Sequence, residues 1–161
     1  MLFARALLAF LVLPGVVAGV LPWWIVSADR ERGPGWPVLG TGVAVLGAII
    51  LLWCVRDFYV AGKGTLAPWD PPRRLVLVGL YRFTRNPMYI GVLTLVLGAS
   101  ILFGSRRLAI YLVAVAVAFH LRTILYEEPR LAELFGADFE RYRATVPRWV
   151  PRWPTVTRRA P

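Results

Sequence analysis

The sequence is short of the residues that build soluble active sites. It has one cysteine, Cys54, one histidine, His120, and one lysine, Lys63. A lone cysteine forms no internal disulfide, and one His with one Cys is too few ligands for a protein-only zinc site. Charge is also scarce, at 17% of residues, where a soluble domain carries about 25%. Disorder is excluded too, since a chain that is 58% hydrophobic has ample apolar surface to bury. What charge there is leans one way: 19 basic residues, all but one of them arginine, face nine acids. On a soluble protein that excess points to nucleic acid. On a chain this apolar it points instead to anionic lipid headgroups at a cytoplasmic membrane face. Seven tryptophans agree, because indole rings concentrate at membrane interfaces.

Long apolar runs are what the chain has in quantity. Ala6 to Val26 carries no charge and is long enough to span a bilayer, and longer than a signal-peptide core. Pro14 and Pro22 are expected to kink or end that helix. A polar Gly/Pro-rich turn, Asp29 to Pro37, precedes the second run, Val38 to Val55. Gly40, Gly42 and Gly47 there would let another helix approach closely. The third run, Met88 to Phe103, and the fourth, from Leu108 to about Tyr126, flank Gly104-Ser105-Arg106-Arg107 and read as a helical hairpin. The predicted architecture is all-α: a polytopic membrane protein with four transmembrane helices, over about 6–26, 38–55, 88–103 and 108–126. All 161 residues form one domain. With both termini cytoplasmic, fifteen cations lie inside and four outside, which follows the positive-inside rule. The expected location is the inner (plasma) membrane.

Two stretches lie outside the spans. The loop 58–86 is longer than an ordinary connection, and such loops are functional or disordered. Its Gly62-Lys63-Gly64-Thr65 lacks the spacing of a phosphate loop and reads as a turn. The tail, 127–161, places Leu131, Leu134, Phe135 and Tyr142 on one helical face, which suggests an amphipathic segment lying on the membrane. Gly136 divides it, and the prolines from Pro147 onward exclude helix. The Arg148-Trp149 and Arg152-Trp153 pairs suit the headgroup layer. No internal repeat of the kind common in transporters is visible.

Chemistry concentrates at two places. In Gly79-Leu-Tyr81-Arg82-Phe-Thr-Arg85-Asn86-Pro87-Met88-Tyr89-Ile-Gly91, Pro87 suits the first helical position and Asn86 the N-cap. A helix start beside Arg85 is either an ordinary cap or a seat for a carboxylate. In Tyr126-Glu127-Glu128-Pro129 a membrane helix leaves the bilayer with two acids. Either both are solvated caps of the tail helix, or one faces inward and binds a cation or sugar hydroxyls. Pro129 favours an extended Glu128 and a new helix start, which leaves Glu127 facing inward. His120 reads as a hydrogen-bonded interface histidine and Cys54 as packing.

The stretch Gly79-Leu-Tyr81-x-x-x-Arg85-Asn86-Pro87-Met88-Tyr89-x-Gly91 resembles the Arg-[His/Asn]-Pro-x-Tyr signature of integral-membrane methyltransferases, the isoprenylcysteine carboxyl methyltransferase and phospholipid methyltransferase families. A second block is similar as well: Glu127-Glu128-x-x-Leu131-x-x-x-Phe135-Gly136-x-x-Phe139-x-x-Tyr142-x-x-x-Val146-Pro147-Arg148. The resemblance covers about residues 62–154. It implies S-adenosylmethionine as methyl donor and a lipophilic or small membrane-accessible acceptor with an O, N or S nucleophile. It implies no metal and no nucleic acid. Cofactor positions fall on Arg73, Arg74, Leu75, Val76, Tyr81, Asn86, Pro87, Met88, Tyr89 and Glu127. Arg85 and Glu127 take the catalytic roles. Isoprenylcysteine members carry His where Asn86 stands. They also carry a substrate-binding Arg at the position of Thr123, one step from Arg122, so Arg122 and Thr123 are the substrate-binding candidates. The alternatives are phospholipid N-methylation specifically, and a non-enzymatic membrane scaffold that keeps the fold.

Overall fold

Glycines decide where the central helices meet. A computed structural model of the chain describes residues 11–57, 60 and 75–153. A wide-turned π-helical segment, Leu11–Val20, contains Pro14 and runs straight into α1, Leu21–Ala28, which has Pro22 in its first turn. Then come α2, Pro37–Asp57; a 3-10 turn, Gly79–Arg82; α3, Pro87–Phe103; and α4, Arg106–Arg122. A second π-type turn, Thr123–Glu127, leads into α5, Glu128–Phe135, and α6, Ala137–Thr145, follows. No strand occurs among the described residues. Two helices are long and apolar enough to cross a membrane: α2, and the continuous rod Arg106–Phe135. At ~1.5 Å per residue the 21 residues of α2 reach about 30 Å, the thickness of a hydrocarbon core. Gly62-Lys63-Gly64-Thr65, Arg73 and Arg74 lie outside the described residues.

α2 and α3 pack antiparallel and backbone to backbone. A Cβ on Gly40 would strike the backbone of Leu102, one on Gly47 that of Leu95 and Gly91, and one on Gly98 that of Ala44. Without a hydrophobic driving force between helices in lipid, this close approach is what dispersion needs. Gly42 faces open space and takes no part. Gly47→Val should therefore cost about 1–3 kcal/mol through overpacking, read as a lower unfolding temperature in detergent. Gly42→Ala should leave that temperature unchanged.

At one end of the bundle the polar turn after α1 binds the α3–α4 connection. The Gly33 and Trp36 N–H groups donate to Gly104 O and Ile101 O, at 3.1 and 3.0 Å. Gly104 is left-handed, φ 57°. Ser105 caps α4 by accepting from the Leu108 N–H, and its hydroxyl donates to the buried Asp29.

At the other end the tail folds onto the segment before α3. The Arg85 N–H donates to Pro147 O and the Arg152 N–H to Phe83 O, both at 2.9 Å, so 83–85 and 147–152 run side by side. Gly136, φ 49°, splits the tail helix as its sequence suggested. The expected apolar face is corrected in part. Leu134 is exposed, whereas Phe139, Tyr142 and Val146 are buried against Leu75, Leu131 and Phe135. The turn at Gly136 rotates α6 relative to α5, so one 3.6-residue period does not carry across it.

Candidate functional site

The two adjacent acids end in different clusters, and a widened helical turn is the cause. Pro129 has no N–H and its ring crowds the carbonyl four residues back. The chain absorbs this in the π-type turn Thr123–Glu127 and stays helical through Glu128, φ −63° and ψ −45°. The expected extended Glu128 and fresh helix start at Pro129 are therefore not found. A π-type turn bonds residues five apart and so brings them onto one face. Arg122 and Glu127 are five apart, and Arg122 Nε donates to Glu127 Oε1 at 2.8 Å.

Tyr89, two residues into α3, completes this first cluster. Its hydroxyl donates to Glu127 Oε1 and accepts from Arg122 Nε at 3.1 Å. Its ring stacks on Phe119, centroids 4.2 Å apart. Trp149 from the tail lies against the same ring, and its indole Nε1 donates to His120 Nδ1 at 3.1 Å. His120 is thus hydrogen-bonded, as its position suggested. Glu127 is about a quarter exposed and Arg122 more than a third, so the cluster opens outward. Thr123 is buried and its hydroxyl donates to Phe119 O at 2.8 Å. Of the two substrate-binding candidates, Arg122 has the more accessible polar head.

The second cluster is closed. Glu128 accepts two hydrogen bonds from Arg148, at 2.6 and 2.9 Å, and Arg85 Nη1 lies 2.9 Å from Glu128 Oε1. Arg85 and Glu127, the two residues to which the resemblance gives catalytic roles, thus belong to different clusters. Successive helical residues point about 100° apart, and Glu128 is the acid turned toward the tail and the start of α3. Burial pushes the Glu128 carboxyl up, but the hydrogen bonds from Arg148 and the charge of Arg85 outweigh it and hold the carboxyl below its ordinary value. Burial is also the main reason that Arg85 is shifted down, against the opposing pull of Glu128. Arg85 Nε and Nη1 are buried with no hydrogen-bond partner. The Nη1 contact with Glu128 is an ion pair out of line for a hydrogen bond.

Between the clusters lies the N-terminus of α3. Asn86 occupies the N-cap and Pro87 the first helical position, as expected. The Asn86 side chain does not cap the helix; its Nδ2 donates to Arg148 O at 3.1 Å. The Thr84 hydroxyl donates to Arg148 O as well, at 3.0 Å. First-turn amides have no partner inside a helix, so those of Met88 and Tyr89 remain for other acceptors. Val76 and Tyr81 are buried with Cys54, and Met88 packs against them. The Tyr142 hydroxyl donates to Tyr81 O at 2.7 Å and fixes the 3-10 turn to the tail. Leu75 packs on the Phe139 cluster. Phe119 had no assigned role in the sequence, and Arg148 and Trp149 read there only as headgroup residues, whereas they bond Glu128 and His120. Their signal would have been the pairing of the tail with 83–86, which no local pattern reveals.

The chain matches the family model described as phospholipid methyltransferase over residues 36–138, and it belongs to that family. The Protein-S-isoprenylcysteine O-methyltransferase of Schizosaccharomyces pombe is 34% identical over 80 residues, 50% of this chain and 34% of that protein. Protein-S-isoprenylcysteine O-methyltransferase B of Arabidopsis thaliana is 33% identical over 78 residues, 48% of this chain and 40% of that one. The chain thus spans less than half the length of the curated relatives it matches. No solved structure matches it significantly.

Proposed function

We propose that the chain is a membrane enzyme that transfers a methyl group from S-adenosylmethionine to a lipophilic or small membrane-accessible acceptor at the cytoplasmic face. The observation that carries this reading is the pair of clusters flanking the start of α3. One presents an accessible carboxylate, Glu127, and the other an arginine, Arg85, with buried unsatisfied donors. Both lie at or beside the segment that matches the family. In this reading the four apolar helical stretches span the bilayer, α3 and α4 form a hairpin, and both ends of the chain are cytoplasmic. A reporter fused to the C-terminus should then be active only in the cytoplasm.

Arg85 fits the donor's carboxylate, because its guanidinium is positive and its Nε and Nη1 are buried without hydrogen-bond partners, and the first-turn amides of α3 add the donors of a helix N-terminus. Glu127 fits the donor's positive charge or its ribose. When bound, the donor's sulfonium supplies a methyl group for in-line transfer to an O, N or S nucleophile. The protein's task is then alignment and exclusion of water. Tyr89 holds Glu127, and Phe119 and Trp149 shield Tyr89 from one side. Arg122, tied to the same carboxylate, stands where an acidic acceptor could be steered. Relatives named for O-methylation of an isoprenylcysteine support a lipophilic acceptor.

Calorimetric titration of folded, detergent-solubilised protein should give saturable binding of S-adenosylmethionine and S-adenosylhomocysteine. Labelled methyl should pass into a native membrane extract. Absence of any binding would favour a scaffold without turnover, and label confined to soluble protein side chains would refute the lipophilic acceptor.

A further inference from the structure

Among the described residues, buried side-chain polar atoms without a hydrogen-bond partner belong to two residues of opposite charge, Arg85 and Asp57. The function proposed above uses Arg85. Asp57 is the last residue of α2, and its side chain is 6% exposed. Among the described residues its Oδ1 is paired with Arg56 alone, at 3.4 Å, and the Arg56 side chain is 72% exposed. Its Oδ2 has no hydrogen-bond partner. A buried carboxylate whose one ion pair is to a mostly exposed arginine is poorly compensated unless a further cation meets it, and such acids mark binding sites by default.

The surroundings make room for that carboxylate. Gly79, at φ +56°, opens the 3-10 turn, and any Cβ there would run into Asp57 Oδ2. The Trp53 indole borders the same spot, with Nε1 3.1 Å from where that Cβ would stand. Cys54, on the same helix, and Tyr81, in the same turn as Gly79, belong to one buried cluster with Val76, and Met88 packs against it. The described residues hold no group of three His, Cys, Asp or Glu suited to a metal ion. A single buried carboxylate is instead the chemistry that meets one positive charge, as an organic cation carries it without a set of further ligands.

We propose that Asp57 is a binding residue for an organic cation, a sulfonium or alkylammonium group carried by a ligand of the methyl-transfer site. Arg85 and Asp57 then bracket the Gly79–Arg82 turn with complementary charges, matched to a zwitterionic ligand. This inference rests on the methyltransferase reading. The favoured source of the cation is the methyl donor, because Asp57 Oδ2 lies against Gly79, which opens the turn that carries Tyr81; the other source is an amine on the acceptor.

The test is calorimetry on the full chain in detergent, wild type against Asp57→Asn, with S-adenosylmethionine, S-adenosylhomocysteine, and dihexanoyl phosphatidylethanolamine against the phosphatidylglycerol analogue. The variant should bind S-adenosylmethionine at least tenfold more weakly. Its ligand-free unfolding temperature should not fall, because the substitution removes a buried charge whose one ion pair is to a mostly exposed arginine. Equal loss for both nucleosides supports the proposal and assigns the ammonium group; loss for S-adenosylmethionine alone supports it and assigns the sulfonium. Unchanged nucleoside affinity with a tenfold loss for the ethanolamine lipid alone also supports it, with the cation on the acceptor. Unchanged affinity for every probe, or a variant that unfolds without ligand, makes the carboxylate structural and overturns the proposal. If wild type binds no S-adenosylmethionine, the proposed function falls and this inference with it. If wild type binds and the variant equals it for every probe, only this inference falls.

Discussion

Glu127→Gln is expected to weaken S-adenosylmethionine binding at least tenfold, about 1.4 kcal/mol, in folded, detergent-solubilised protein. Glu127 Oε1 is the shared acceptor of Tyr89 and Arg122. An amide in its place can still accept one of those bonds but carries no charge to offset Arg122 or a cationic ligand. Hydrogen bonds to charged groups contribute about 1.5–3 kcal/mol, so a tenfold loss is the lower bound of what that contact supplies. The cluster is partly open to solvent, which limits the cost to the unliganded protein. The expected signature is therefore a large change in affinity and a small change in stability. Equal affinity in wild type and variant would show that this is not the carboxylate that meets the donor.

That assignment shows how far local sequence reasoning reaches. The runs without charge located α2, α3 and the start of α4 to within two residues, because an apolar run ends where charge or Pro/Gly begins. The Asn86-Pro87 helix start was equally legible, since both residues have positional chemistry of their own. The two acids were separable in sequence because neighbours on a helix diverge by about 100°. Their partners were not legible. Whether Arg85 reaches Glu127 or Glu128 depends on the π-type turn, and that turn depends on how Pro129 is accommodated. Pro129 read locally as a helix break; in the structure the helix widens and continues. Arg148 lies 20 residues from Glu128, and the pairing exists only because the tail runs beside 83–85. Asp57 stands just past the uncharged run Val38 to Val55, and nothing in its neighbours along the chain shows that Gly79 would cover it.

Glu128→Gln should act on stability and leave donor affinity within about threefold, since a tenfold change needs 1.4 kcal/mol and this acid faces the tail. The Glu128 and Arg85 side chains are each 10% exposed, and Arg148 is 33% exposed. Removing one member of a buried pair costs about 3–5 kcal/mol, chiefly because the remaining charge is left without compensation. Here two guanidiniums are left, and Arg85 already has two buried nitrogens without hydrogen bonds. The tail should loosen first, because Arg148 is its only ion pair to α5 among the described residues. Proteolysis after residue 135 should therefore accelerate together with the fall in unfolding temperature at pH 7. Acid supplies an independent check. Burial raises the Glu128 carboxyl, but Arg148 and Arg85 hold it below its ordinary value of 4.5. A group depressed in this way stabilises the fold fully above its unfolded pKa and loses that contribution as pH falls through the folded one. The stability gap between wild type and Glu128→Gln should thus be widest near neutrality and close progressively as the pH drops below about 4.5. A gap that stayed constant down to strong acid would mean that Glu128 holds the tail by shape and not by charge.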